Sequence, residues 1–156
     1  MKNSKYILLA VAVVIVILAG LTKDKKEVVN EQEPKNEVCY IWNTEAGDSA
    51  SLRMSFEENG NVSGTFNFEP YQKDAKKGAF DGVVMILEGE SLPTAQLLWQ
   101  ANGEGVINTE ELYVKFSDGI ASPGFGEMKD RGDGVYVYAS PENISYPINL
   151  QQTDCQ

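Results

Sequence analysis

The sequence contains no histidine. That excludes Ser-His-Asp and Cys-His nucleophilic systems, His-bound zinc and the commonest general base. Cysteine is scarce: Cys39 and Cys155 are the only two, and once bonded to each other they leave no thiolate nucleophile. Phosphate-binding glycine loops are missing as well. Gly124-Phe125-Gly126-Glu127 fits neither the dinucleotide nor the Walker pattern. Carboxylates are the one catalytic group left in quantity. A glycosidase needs two of them facing each other across a cleft. Glu57-Glu58 and Glu110-Glu111 are adjacent pairs, and neighbours on a strand point to opposite faces. Glu88 and Glu90 would share a face if the strand before them reached that far, in a pattern that suits a solvated strand end. These absences predict a protein that binds rather than catalyses, with no cofactor.

Positive charge is scarce over most of the chain. Residues 1–36 hold six lysines against four acids, a net of +2, whereas residues 37–156 hold seven basic and nineteen acidic residues, a net of −12. Such an acidic segment repels phosphate backbones, so nucleic acid is not an expected partner. It attracts cations or a basic protein.

Charge is absent altogether from one stretch. Tyr6 to Leu21 reads YILLAVAVVIVILAGL, sixteen uncharged residues behind Lys2 and Lys5 and ahead of Lys23, Lys25 and Lys26. Its length lies between the apolar stretch of a signal peptide, roughly 7–15 residues, and a membrane span, roughly 17–25. Ile17 and Leu18 are bulky where a cleavage site wants a small residue, and flanking lysine stems lengthen the effective span. The reading is an uncleaved anchor over residues 6–21. Leu18-Ala19-Gly20-Leu21 resembles the end of the bacterial lipoprotein box, with Leu21 in place of the lipid-bearing cysteine, so the helix itself must hold the protein.

Residues 1–21 are therefore expected to form a membrane anchor or signal segment. Residues 22–37, TKDKKEVVNEQEPKNE, have the composition of a solvated tether. Residues 38–156 have ordinary single-domain size. Cys39 and Cys155 sit near the two ends of that domain. In an exported chain this placement predicts one disulfide between the first strand and the last segment. A disulfide needs an oxidising compartment, which puts the domain outside the cytoplasm.

Alternation with period two recurs along the domain: Val38, Tyr40, Trp42; Leu52, Met54, Phe56; Val62, Gly64, Phe66, Phe68; Phe80, Gly82, Val84, Ile86; Leu112, Val114, Phe116. Half-buried strands separated by turn residues predict an all-β fold, an antiparallel meander forming a small barrel or sandwich, preceded by one N-terminal transmembrane helix. Residues 94–101, TAQLLWQA, are assigned to a strand rather than a short helix. At Glu58-Asn59-Gly60 a two-residue loop would set Phe56 against Ser63. A three-residue loop with left-handed Gly60 sets Phe56 against Val62 and Leu52 against Phe66. A one-residue slip reverses every side chain, so the hydrophobic pattern selects the second register. The phrases Ser63-Gly64-Thr65-Phe66 and Lys77-Gly78-Ala79-Phe80 look alike, but two short matches make no repeat architecture.

Among candidate site residues, Tyr136 and Tyr138 share a face opposite Val135 and Val137. That face points outward or into a cavity, and with Trp99 it is a candidate binding surface. Glu127, Asp130 and Asp133 form a weak calcium candidate whose spacing departs from the EF-hand loop. Arg131-Gly132-Asp133 spells the integrin-binding tripeptide, and Gly-Asp-Gly is also ordinary turn chemistry.

Cys39-Tyr40 at the first strand, the second cysteine near the end, Val62-Ser63-Gly64-Thr65-Phe66-Asn67-Phe68, Glu69 to Asp74 and Lys77-Gly78-Ala79-Phe80-Asp81-Gly82 carry a resemblance. The chain resembles a group of uncharacterised small membrane-anchored bacterial envelope proteins with a cystine-bearing β-domain. The resemblance implies a single-pass membrane protein with its C-terminal domain outside the cytoplasm, and it implies no activity. A looser resemblance is to periplasmic lysozyme inhibitors, small cystine-bearing β-barrels. That implies a basic enzyme cleft as partner, although the inhibitory motif has no residue-by-residue counterpart here. The expected function is a non-enzymatic, membrane-anchored binding or interaction domain for a small ligand or a basic protein. A structural envelope spacer is the third reading.

Overall fold

The computed structural model describes residues 36–156. The expected anchor over residues 6–21, and the tether as far as residue 35, lie outside the described residues. Among the described residues no helix is long and apolar enough to cross a membrane.

Ten strands follow one another: β1 (Asn36–Asn43), β2 (Ser49–Phe56), β3 (Asn61–Glu69), β4 (Lys76–Ile86), β5 (Pro93–Gly103), β6 (Val106–Ser117), β7 (Ile120–Pro123), β8 (Met128–Asp130), β9 (Val135–Tyr138) and β10 (Leu150–Thr153). A single turn of 3-10 helix covers Pro141–Asn143. Strands β1 to β7 pair antiparallel in sequence order. β10 then inserts between β7 and β1 and closes the ring, giving an eight-stranded barrel. β8 and β9 form a hairpin outside the ring, and β9 joins β6 in parallel at Thr109 opposite Val135 and Glu110 opposite Tyr136. The all-β, antiparallel expectation resolves to a barrel rather than a sandwich, and residues 94–101 lie within β5.

The register at the first apolar hairpin follows the hydrophobic pattern. Phe56 faces Val62 and Leu52 faces Phe66. The turn is closed by Gly60 N–H donating to the Glu57 carbonyl at 3.1 Å and Glu57 N–H donating to the Asn61 carbonyl at 2.9 Å. Gly60 has φ +84°, the left-handed conformation that a type I turn followed by a bulge requires.

The two look-alike phrases turn out to be partners. In the β3–β4 ladder Gly64 faces Phe80, Phe66 faces Gly78 and Val62 faces Gly82. Every inward glycine thus lies opposite a larger side chain. A Cβ on Gly64 would come within 2.8 Å of the Phe80 ring, and one on Gly78 within 1.8 Å of the Gln100 carbonyl oxygen. Alternating large and small residues across facing positions lets rings interdigitate at native density. Antiparallel pairing of two Gly-x-Phe phrases produces that alternation from a single motif written twice.

Eight strands enclose a space that side chains just fill, or that holds one small ligand. The body of this barrel is filled. Leu52, Phe66, Phe80, Leu97, Val114 and Leu150 are all fully buried within it. One end is closed by the turns at 57–60, 87–92 and 118–119, and the described chain begins there at Asn36. Beside β1 the disulfide Cys39–Cys155 fastens the closing strand, with a Cα–Cα distance of 5.3 Å. Arg53 also donates to the Gln156 backbone carbonyl. The opposite end carries the turns at 44–48, 70–75 and 104–105, and is covered by the segment 124–149. This cover is pinned by Gly124 N–H on the Tyr113 carbonyl at 2.7 Å and by paired backbone bonds between Phe125 and Ser145 at 2.8 and 2.9 Å.

Candidate functional site

The inward phase of two strands changes character at the covered end. On β4 the inward positions run from Phe80 through Gly78 to Lys76, and on β6 from Val114 through Leu112 to Glu110. The apolar lining ends in an ion pair. Lys76 Nζ lies 2.6 and 2.9 Å from the two carboxylate oxygens of Glu110. Glu110 stands directly opposite Trp99 in the β5–β6 ladder. Between this pair and the cover lies a cavity of about 230 Å³, lined by Phe66, Phe68, Trp99, Leu112, Phe125, Met128 and Tyr138 together with Lys76, Glu110 and Glu111.

The polar atoms of the aromatic lining are already committed. Trp99 Nε1 donates to the Phe66 carbonyl at 3.1 Å and to that of Gly78 at 3.2 Å. The indole meets the Phe66 ring edge-on, with centroids 5.1 Å apart at 60°. Tyr138 donates its hydroxyl to the Gly124 carbonyl at 2.8 Å, and burial pushes its phenol above the ordinary range. Phe125 of the cover packs on Phe68 with centroids 5.2 Å apart. The lining therefore offers ring faces and methylenes but no free donor from its rings.

The carboxylates differ in their surroundings. Glu110 points inward and is neutralised by Lys76. Glu111, next along the strand, accepts from Gln96 Nε2 at 2.9 Å and from Tyr138 N–H at 3.2 Å, both uncharged donors. Beside it the Tyr113 phenol is pushed up to about 12, first by burial and then by the Glu111 charge. As expected for adjacent residues on a strand, Glu110 and Glu111 do not face each other across a cleft.

Of the candidate residues read from the sequence, Trp99 and Tyr138 come together in the cavity. Tyr136 is partly exposed and does not join them. Tyr138 thus lines the cavity rather than forming an outward strip with Tyr136, because its hydroxyl is held by the Gly124 carbonyl and its ring packs on Tyr113. Cys39 and Cys155 are bonded. Among the described residues no group of three acidic side chains is placed to hold a metal ion. Asp130 instead accepts from Gly132 N–H at 2.7 Å, and Asp133 pairs with Arg131 at 2.6 Å. Two of the three carboxylates of the calcium candidate, Glu127, Asp130 and Asp133, are thus engaged within the turn. The same ion pair ties up the charges of the Arg131-Gly132-Asp133 tripeptide.

Sequence reasoning missed Lys76, Phe125 and Met128 and weighed Glu110 and Glu111 only as a catalytic pair. The signal for two of them was present. Extending the inward phases of Phe80 and Leu112 back by period two reaches Lys76 and Glu110, a charge on the core side of two strands. Phe125 and Met128 carried no such signal, because nothing local says that their segment folds over the barrel. Comparison with protein-family models, with curated proteins and with solved structures gives no match to this chain.

Proposed function

We propose that this protein is a non-enzymatic, membrane-anchored binding protein that presents its barrel outside the cytoplasm and holds a small, largely apolar ligand in the barrel-end cavity. The observation that carries this reading is an aromatic-lined space of about 230 Å³ in a barrel otherwise packed solid. A dry apolar cavity of about 150 Å³ already takes benzene, whereas drug-sized ligands need roughly 300–1,000 Å³, so the ligand is small or inserts one head group. The uncharged run at residues 6–21 supports the anchor. The disulfide supports an oxidising compartment. The ligand end is the end remote from Asn36.

The test is a titration of the full chain, in a neutral maltoside detergent and with Trp42→Phe so that Trp99 reports alone. Toluene and indole are the probes. Saturable change in Trp99 emission on adding toluene and saturable heat on adding indole are expected, and Leu112→Phe, which narrows the cavity without adding a second tryptophan, should weaken the response to toluene. An unsaturable response to both probes would sink the cavity reading. Steady turnover of a glycan or peptide library by the same preparation would sink the non-enzymatic one.

A further inference from the structure

Resting on the cavity reading just given, we infer that the ligand is a small organic cation, an alkylated ammonium group of trimethylammonium size, and that Lys76 occupies part of its seat until it arrives. The first support is the balance of unspent chemistry in the lining. The ring donors of Trp99 and Tyr138 are committed to backbone carbonyls. What remains are ring faces, which carry negative quadrupole density, and the second lone pairs of carboxylate oxygens that each already accept one hydrogen bond. A neutral polar ligand would find acceptors but no donor other than Lys76, and an anion would find net negative charge. A desolvated cation over aromatic faces satisfies both the rings and the carboxylates.

The second support is the charge count at the site. Lys76, Glu110 and Glu111 are the charged groups of the lining, one positive against two negative. Glu110 has Lys76 as counter-ion, while Glu111 is held by the neutral Gln96 amide and Tyr138 N–H. Among the described residues Glu111 forms no ion pair, and the Arg131 that feels its charge is itself paired with Asp133. The net charge of −12 over residues 37–156 raises the local concentration of any cationic ligand in the same sense.

The third support is the asymmetry of the ion pair. The Lys76 side chain is 46% exposed while that of Glu110 is 13% exposed. Glu110 is fixed on the inward face opposite Trp99, whereas Lys76 has solvent to retreat into. An exposed lysine gives up such a pair at little cost. An incoming ammonium ion therefore displaces Lys76 outward and takes the inward carboxylate, with Trp99 and Phe66 beside it. Lys76 acts as a tethered competitor.

The experiment compares three probes of nearly one shape by calorimetry on the full chain in neutral detergent at low salt: choline, the uncharged 3,3-dimethylbutan-1-ol, and the anionic 3,3-dimethylbutanoate. Choline is expected to bind about tenfold tighter than the alcohol, the scale of a desolvated cation–π contact, with the anion weakest. Lys76→Met should raise the ratio of choline to alcohol affinity several-fold, and Glu111→Gln should lower it. If the alcohol binds as tightly as choline, the cation proposal fails and the cavity reading stands. If the anion binds tightest, the proposal fails and the site passes to Lys76. If none of the three saturates, and toluene and indole do not either, both readings fall together. The comparison needs no variant, so a misfolded mutant cannot obscure it.

Discussion

Replacing Gly78 by alanine tests the interlocked packing of β3, β4 and β5 most directly. A Cβ at this position would lie 1.8 Å from the Gln100 carbonyl oxygen, 2.7 Å from its carbon and 3.4 Å from Trp99 Nε1. The first two atoms are backbone, so no rotamer change relieves the contact, and β4 must move away from β5. Overpacking of this kind costs about 1–3 kcal/mol. A rigid obstacle puts Gly78→Ala at the upper end. The shift also disturbs the indole bonds to the Phe66 and Gly78 carbonyls, and lost hydrogen bonds add about 1 kcal/mol. The expected loss is therefore about 3–4 kcal/mol. In urea unfolding, with a slope of about 2 kcal/mol/M, the midpoint falls by about 1.5–2 M. Trp99 emission should shift in the folded state as well. The control is Gly105→Ala, where nothing lies within 4 Å and φ is +79°. There the loss is left-handed strain alone, about 1–2 kcal/mol. A Gly78→Ala loss below 1 kcal/mol at unchanged slope, or one no larger than that of Gly105→Ala, would refute the argument.

Three further outcomes are expected. Reducing the Cys39–Cys155 bond, which spans a sequence separation of 116, should destabilise the barrel by up to about 5 kcal/mol on the loop-entropy model. Denaturant curves with and without dithiothreitol measure this, and a shift under 1 kcal/mol contradicts it. Asp48 is held below its ordinary 3.8, first by the Tyr71 N–H at 2.8 Å and then by the Thr44 hydroxyl at 2.9 Å. Its contribution is present in full above the unfolded value and fades as pH falls through the lower folded value. The urea midpoints of wild type and Asp48→Asn should therefore converge below about pH 3.8, and a gap that persists to pH 2 would contradict this. Phe125→Ala removes the ring stacked on Phe68, which should open the cavity and raise the off-rate of toluene measured by Trp99 emission. An unchanged off-rate would mean that the cover does not gate the site.

Local pattern was enough to read the strands, because alternation on a two-residue period reports which face meets the core, and that signal needs no knowledge of neighbours. It was enough for the Phe56–Val62 register too, since one slip would have turned Leu52 and Met54 into solvent. The disulfide was legible from the position of two cysteines in an otherwise cysteine-free domain.

Other features were decided only by closure. β10 is four residues long, Leu150–Thr153, and nothing in those residues says that they pair with β1 and turn a meander into a ring. The Gly-x-Phe phrases looked like a coincidence along the chain, and became complementary once β3 and β4 were laid antiparallel. Tyr138 and Tyr136 were alike in sequence. They parted because Tyr138 packs within the cover, its hydroxyl on the Gly124 carbonyl and its ring against Tyr113, whereas Tyr136 stays exposed. Lys76 and Glu110, 34 residues apart, extend the inward phase of their strands, but nothing local says that they meet. A barrel end brings them together, because the strand carrying Lys76 is separated from the one carrying Glu110 by a single strand bearing Trp99. Period, turn chemistry and cysteine count are properties of short stretches, and the sequence by itself determined them. A cavity is a property of surfaces that meet from distant parts of the chain, and only the closed barrel could make it.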